Sequence, residues 1–376
     1  MDKKKVVIIS RAIFPMNAPR ALRATELAKE LARQGHSVTL YGVLGSYDYQ
    51  TFEEEYNLKV VNLGKMIFAK LNSDGIDKTS TTTKLFSRVF NRLLEFPDIE
   101  LMLRVYNVVK KLQNVDLLIT IAIPYPIHWG AALAKSKNVD NFPKTWVADC
   151  GDPYMGNEFK KRLFYFRYIE KWFCRAVDFI TVPVKEAVSA YYSEFHKKIV
   201  VIPQGFALPE NTNVTVPNNS IPTFIYAGTL YQNHRNPSKF LKYLCSVERE
   251  FKFIIFTKSK KIVAPFVPLL DKKLEIKDYI PREELLKEMS RADFLVNFEN
   301  ESGSQVPSKL IDYLIAGRPV ISIDTQNFNR TVVDNFLVGD YTGQLELPDI
   351  HQYDITNIVN KFLLLTQKSY TDNLSA

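Results

Sequence analysis

Val6 to Ser10 is an unbroken apolar run closed by serine, and a loop through Arg20 leads into a helix whose Ala24, Leu27, Ala28, Leu31 and Ala32 fall at i, i+3, i+4, i+7 and i+8. Gly35 ends that helix, and Ser37 to Val43 supplies the next strand. Strand, one-faced helix and strand in that order form a βαβ unit, which needs parallel strands and a right-handed crossover. The start of the chain is thereby committed to an open sheet with helices laid on it.

The alternation continues through Leu117 to Ile123, Lys144 to Ala148 and Phe179 to Pro183, each a strand candidate between helical stretches. Pro203 to Pro222 then concentrates proline, asparagine and threonine without periodicity and reads as a linker. Beyond it, Phe224 to Ala227, Lys252 to Phe256, Leu274 to Ile276, Phe294 to Phe298 and Pro319 to Ile323 are strand candidates, separated by helices near 237–247, 282–291 and 307–316. Asp354 caps a last helix, Ile355 to Gln367, striped by Ile358, Val359, Phe362 and Leu363. The expected fold is α/β, two Rossmann-like doubly wound parallel-sheet domains facing across a cleft. Its parts are residues 1–202, a linker 203–222, a second domain 223–353, and a C-terminal helical segment 354–376 that packs back on the first domain.

The formal net charge of +8 favours an anionic partner without choosing among a phosphate ligand, an acidic membrane surface and nucleic acid. No nucleic-acid module accompanies the charge, so nucleic acid is not an expected partner. Cys150, Cys174 and Cys245 lie far apart without metal-ligand spacing, which suits a reducing cytoplasm and predicts no metal site. Residues 159–180, FKKRLFYFRYIEKWFCRAVDFI, mix aromatic and basic side chains and read either as a helix packed on a sheet or as a segment lying against an anionic inner membrane leaflet.

The most informative short segment is Pro307 to Ile321, PSKLIDYLIAGRPVI. Pro307 suits the first helical position and Gly317 the stop, so a short helix feeds the strand that follows, with Lys309 and Asp312 on one face. The helix start and Lys309 offer positive charge to a phosphate, and Asp312, a turn deeper, can accept from ribose hydroxyls. The alternative is an ordinary amphipathic helix with Leu310, Tyr313 and Leu314 in the core. A second segment, Tyr226 to Pro237, YAGTLYQNHRNP, sets a glycine turn after a strand and a basic residue before the next helix.

On these two segments, and on Arg291-Ala292-Asp293 ahead of a strand, the chain resembles a glycosyltransferase of the GT-B fold. It is similar over nearly its whole length to the retaining glycosyltransferase family 4 group of bacterial surface-polysaccharide enzymes. The resemblance implies a nucleoside-diphosphate sugar as donor substrate, a glycan or lipid-linked acceptor, and no cofactor. Asp312 falls where that family has its ribose-binding glutamate, Gly228 where the backbone approaches the ligand, and Arg235 where a cation meets the diphosphate. Thr229 stands where the family often has an arginine, and Ser304 where it has a second acid. The loop ENESGSQVPSK, residues 299–309, retains Gly303, Gln305, Val306 and Ser308 for backbone contacts to phosphate. Base contacts are expected around Lys277 to Ile280.

On the acceptor side, Arg11 and Arg20 follow the first strand and suit an anionic acceptor, or are simply solvated. Asp149 and Asp152 stand at a strand's carboxyl end, to orient an acceptor hydroxyl or to cap and turn the chain. His128 is a candidate to reach the reacting sugar, or a structural histidine. The resemblance implies transfer with retention, with the leaving diphosphate taking the acceptor proton and no DxD metal motif. The alternatives are a non-catalytic nucleotide- or glycan-binding protein of the same fold and a nucleotide-sugar epimerase. A dinucleotide dehydrogenase lacks its GxGxxG after the first strand.

Overall fold

The computed structural model describes residues 2–16, 18–68, 89–157, 160–208, 219–232, 235–299 and 309–367, the side chains of 309–311 excepted. The chain divides into two compact units, one formed by 1–207 with 352–376 and the other by 208–351.

Unit 1 is built on a seven-stranded parallel sheet, β1 (Lys5–Ser10), β2 (Ser37–Gly42), β3 (Lys59–Asn62), β4 (Leu117–Ala122), β5 (Thr145–Cys150), β6 (Phe179–Val182) and β7 (Ile199–Val201), in the order β3-β2-β1-β4-β5-β6-β7. Strand side chains alternate between faces, so Val6 and Ile8 point to one hydrophobic cluster and Val7 and Ile9 to another. The first cluster is covered by α1 (Pro19–Arg33) and by the last helix among the described residues, whose Ile358, Val359, Phe362 and Leu363 are fully buried there. The second lies under α3 (Glu100–Val109), α4 (Pro126–Ser136) and α5 (Phe166–Ala176); the short α2 (Gln50–Tyr56) follows β2. Gly130 sits where α4 meets α3, and a β-carbon there would come within 2.5 Å of Met102 O.

Unit 2 is a five-stranded parallel sheet, β8 (Thr223–Ala227), β9 (Lys252–Phe256), β10 (Leu274–Lys277), β11 (Phe294–Phe298) and β12 (Val320–Ile323), in the order β10-β9-β8-β11-β12. Phe224 and Tyr226 face one cluster, Ile225 and Ala227 the other. Its main helices are α6 (Ser238–Cys245), α7 (Arg282–Ser290), α8 (Lys309–Ala316) and α9 (Arg330–Leu337). The chain returns through Tyr353 to α10 (Ile355–Leu364), the helix already counted in unit 1.

The segment read as a linker is packed at its start. Pro203 O accepts a hydrogen bond from Arg23, Gly205 lies against Ile355 and Ile358, and Phe206 exchanges backbone bonds with Tyr353 O at 2.8 Å and Ile355 N at 2.9 Å. Strand β5 runs two residues further than the apolar run suggests and carries Asp149 and Cys150 into the sheet.

Candidate functional site

Each sheet reverses its strand order once, between β8 and β11 in unit 2 and between β1 and β4 in unit 1. Loops leaving the carboxyl ends of such a strand pair diverge to opposite faces and leave a crevice, the usual ligand position in open parallel sheets.

In unit 2 the two loops are those after β8 and β11. Gly228 takes φ +147, a conformation glycine adopts without a β-carbon clash, and its N–H donates to Phe256 O at 2.9 Å, tying the loop to β9. Buried Tyr226 donates its hydroxyl to Thr229 O at 3.0 Å and turns the loop back over the strand. Arg235 holds φ +59, a left-handed conformation that costs a residue with a β-carbon roughly 1 kcal/mol or more and that clusters at ligand sites.

Buried Tyr313 donates its hydroxyl to Val296 O at 2.8 Å and pins α8 over β11. Beside it, Oδ1 of Asp312 is held by Arg282 at the start of α7, at 2.8 Å from Nε and 2.7 Å from a terminal nitrogen. Burial pushes the Tyr313 hydroxyl well above its ordinary pKa; the Asp312 carboxylate adds to this and the Arg235 guanidinium opposes it. Arg235 and Asp312 therefore both act on one side chain although their loops are far apart in sequence. Following β10, Tyr279 is exposed, with the Lys258 ammonium 5.0 Å from its ring centroid.

Gly228, Thr229, Arg235 and Asp312 are thus all carried by the two loops and the helix of this crevice. Lys309 opens α8, its side chain outside the described residues, as are Gly303, Ser304, Gln305, Val306 and Ser308. Arg282, which fixes the Asp312 carboxylate, gave no signal in the sequence, being an ordinary first-turn helix residue.

In unit 1 the candidates separate into an outer and an inner set. Arg11 forms a 2.8 Å ion pair with Asp98, whose own pKa is raised by burial despite that partner. Arg20 reaches Asp152 at 3.6 Å and lies across Gly151, where a β-carbon would fall 1.6 Å from the guanidinium. The inner set is closed. Asp149 is bound by Arg23 at 2.8 and 3.0 Å and by the Thr181 hydroxyl at 2.7 Å; burial would raise its pKa, but Arg23, Thr181 and Arg20 together outweigh that and hold it below the usual range. His128 is fully buried, with Thr120 Oγ1 2.8 Å from Nδ1 and Cys150 Sγ 3.4 Å from Nε2, and burial lowers its pKa to about 3. Asp149 and His128 accordingly present no free acid or base at the surface of unit 1.

Glu170 on α5 also escaped the sequence reading. It is fully buried, accepts the Met155 N–H at 3.2 Å on Oε1, and leaves Oε2 without a hydrogen-bond partner; burial lifts its pKa to about 7. Among the described residues no group of three His, Cys, Asp or Glu could hold a metal ion, and no helix is long and apolar enough to cross a membrane.

The sequence model of Glycosyltransferase Family 4 matches residues 21–208, half of the chain. No curated protein matches it in sequence. Among solved structures, a glycosyltransferase from Rickettsia africae ESF-5 superposes with a TM-score of 0.62 at 12% identity, over 100% of this chain and 98% of that one. Anabaena HepE, in complex with UDP and glucose, gives 0.57 at 10% identity over 96% and 98%. A UDP-N-acetylglucosamine 2-epimerase from Rickettsia bellii gives 0.52 at 12% identity over 99% and 98%. At such identities the likeness is one of fold, the two Rossmann-like units of GT-B.

Proposed function

From the premise that this chain belongs to Glycosyltransferase Family 4, we propose that it moves a sugar from a nucleoside-diphosphate sugar to a glycan or lipid-linked acceptor, with retention, in surface polysaccharide biosynthesis. The observation that carries the donor half is the crevice of unit 2, where Gly228, Arg235 and Asp312 come from separate elements to one switch point. The solved HepE complex supports a nucleoside diphosphate and makes UDP the first to test.

In this reading Arg235, Lys309 and the start of α8 hold the diphosphate, and Asp312, oriented by Arg282, takes the ribose hydroxyls. The acceptor oxygen bonds to the anomeric carbon as the bond from that carbon to the diphosphate oxygen breaks. The departing diphosphate receives the acceptor proton. The protein's contribution is electrostatic, because preorganised cations stabilise charge that develops on the leaving group. The nucleotide sugar is a substrate, and no step calls on a metal or cofactor. Arg11 and Arg20 at the unit 1 crevice would meet an anionic acceptor, and the cytoplasmic face of a membrane would be the workplace.

Calorimetric titration of the full chain with UDP, GDP, ADP and TDP tests this. One nucleotide should bind with micromolar affinity, and Arg235→Ala, Lys309→Ala and Asp312→Ala should each weaken it by about tenfold or more. Absence of binding by all four nucleotides, or unchanged affinity in all three variants, would remove the donor site. The structural likeness to an epimerase favours one second reading. An epimerase would alter the sugar of its donor without any acceptor, whereas a binding protein would retain the nucleotide with no turnover of either kind.

A further inference from the structure

Unit 1 leaves several large apolar side chains in solvent, and five of them lie on segments that touch one another. Ile67 is 72% exposed and Phe164 71%, and Phe68, Leu93 and Leu94 are exposed on the same segments. Contacts underneath make this one surface. Phe68 packs on Phe96 with ring centroids 5.2 Å apart, and Glu100 accepts the N–H groups of Ile67 and Phe68 at 2.8 Å each. Tyr165, whose ring lies 5.8 Å from that of Phe164, donates its hydroxyl to Leu93 O. Below them Arg162 reaches Glu95 at 2.7 Å and locks residues 160–165 onto the turn at Glu95.

The charges on this face sort by sign. Lys65, Arg92, Lys160, Lys161 and Arg167 are exposed. Glu95 and Glu170 are buried, Asp98 is paired with Arg11, and Glu100 is engaged by backbone N–H groups and Arg104. Among the described residues of 65–68, 89–104 and 160–170, no acidic side chain is exposed. Apolar and aromatic tips set among unopposed lysines and arginines suit the boundary of an anionic bilayer, where the tips enter at headgroup depth and the cations stay with the lipid phosphates. The lysines weigh against a protein partner, since lysine is depleted at the centre of protein–protein interfaces.

We propose that this face of unit 1 docks on an anionic phospholipid bilayer through Ile67, Leu94 and Phe164, with Arg92, Lys160, Lys161 and Arg167 against the headgroups. The functional meaning rests on the transferase reading above, in which a lipid-linked acceptor lies in such a bilayer; the docking itself depends only on these side chains.

The test is co-sedimentation of the full chain with vesicles of phosphatidylcholine, alone or mixed with phosphatidylglycerol. Binding is expected only to the mixed vesicles. Leu94→Ser with Phe164→Ser, and separately Lys160→Glu with Lys161→Glu, should each cut the partition by about tenfold or more while circular dichroism stays unchanged. Wild-type protein left in the supernatant with mixed vesicles, or both variants binding like wild type, would overturn the proposal. So would a dimer in gel filtration that Phe164→Ser dissolves, because the face would then belong to a second copy. Vesicle binding requires no nucleotide, so failure of the donor site and failure of this face are told apart by the two assays.

Discussion

Replacing Glu170 by glutamine isolates the cost of a buried charge. The wild-type carboxyl is fully enclosed, one oxygen takes the Met155 N–H and the other has no hydrogen-bond partner, and burial lifts its pKa from 4.5 to about 7. The folded state therefore holds this proton more tightly than the unfolded chain. The stability it lends is fully present below pH 4.5 and is lost as the pH rises through 7. At 1.36 kcal/mol per unit, a shift from 4.5 to about 7 corresponds to about 3 kcal/mol of lost stability above pH 7. Glutamine keeps the acceptor for Met155 and cannot ionise, so the variant should match wild type near pH 4.5 and exceed it by about 3 kcal/mol once the pH is well above 7. Urea unfolding followed by tryptophan fluorescence reads this directly, since all three tryptophans, Trp129, Trp146 and Trp172, lie in unit 1. A difference between the two proteins that does not change with pH, or a variant less stable than wild type in alkali, would refute the argument.

Two further substitutions probe the same unit. Asp149→Asn leaves the Arg23 guanidinium buried without its counter-charge and should cost about 3 to 5 kcal/mol by the same fluorescence assay, whereas a loss below about 1 kcal/mol would mean that the carbonyls of Ile202 and Pro203 suffice. Gly130→Ala drives a methyl group into Met102 O and Val105 and should destabilise by about 1 to 3 kcal/mol, seen as a lower Tm; an unchanged Tm would show that α3 can move away.

What the chain made legible follows from how far each interaction reaches along it. The stripe Ala24, Leu27, Ala28 and Leu31 repeats every turn and is wholly buried in the structure, because a helix lying on a sheet must present one face. The loops after β8 and β11 could be read because a glycine or a helix start follows directly on a strand. Edge strands β3 and β7 are only four and three residues long, with no fully buried position, and gave no pattern to detect. Arg23 looks like a surface residue of an amphipathic helix, and its partner Asp149 is 126 positions away. Arg282 and Asp312, 30 apart on different helices, were equally invisible as a pair. Glu170 was hidden by its neighbours, for in a helix that carries Arg167, Lys171 and Arg175 an acid reads as an ordinary solvated charge.

The return of the chain to unit 1 has a consequence for biosynthesis. Leu27 and Leu31 of α1 belong to the same buried cluster as Ile358, Val359, Phe362 and Leu363 of α10, and all of unit 2 is encoded between them. On the ribosome, α1 and β1 must wait with that flank uncovered until residues beyond 355 emerge, so unit 2 can finish folding before the unit that begins the chain. A nascent chain stalled after unit 2 would display an apolar helix face, and that is the species a chaperone would meet.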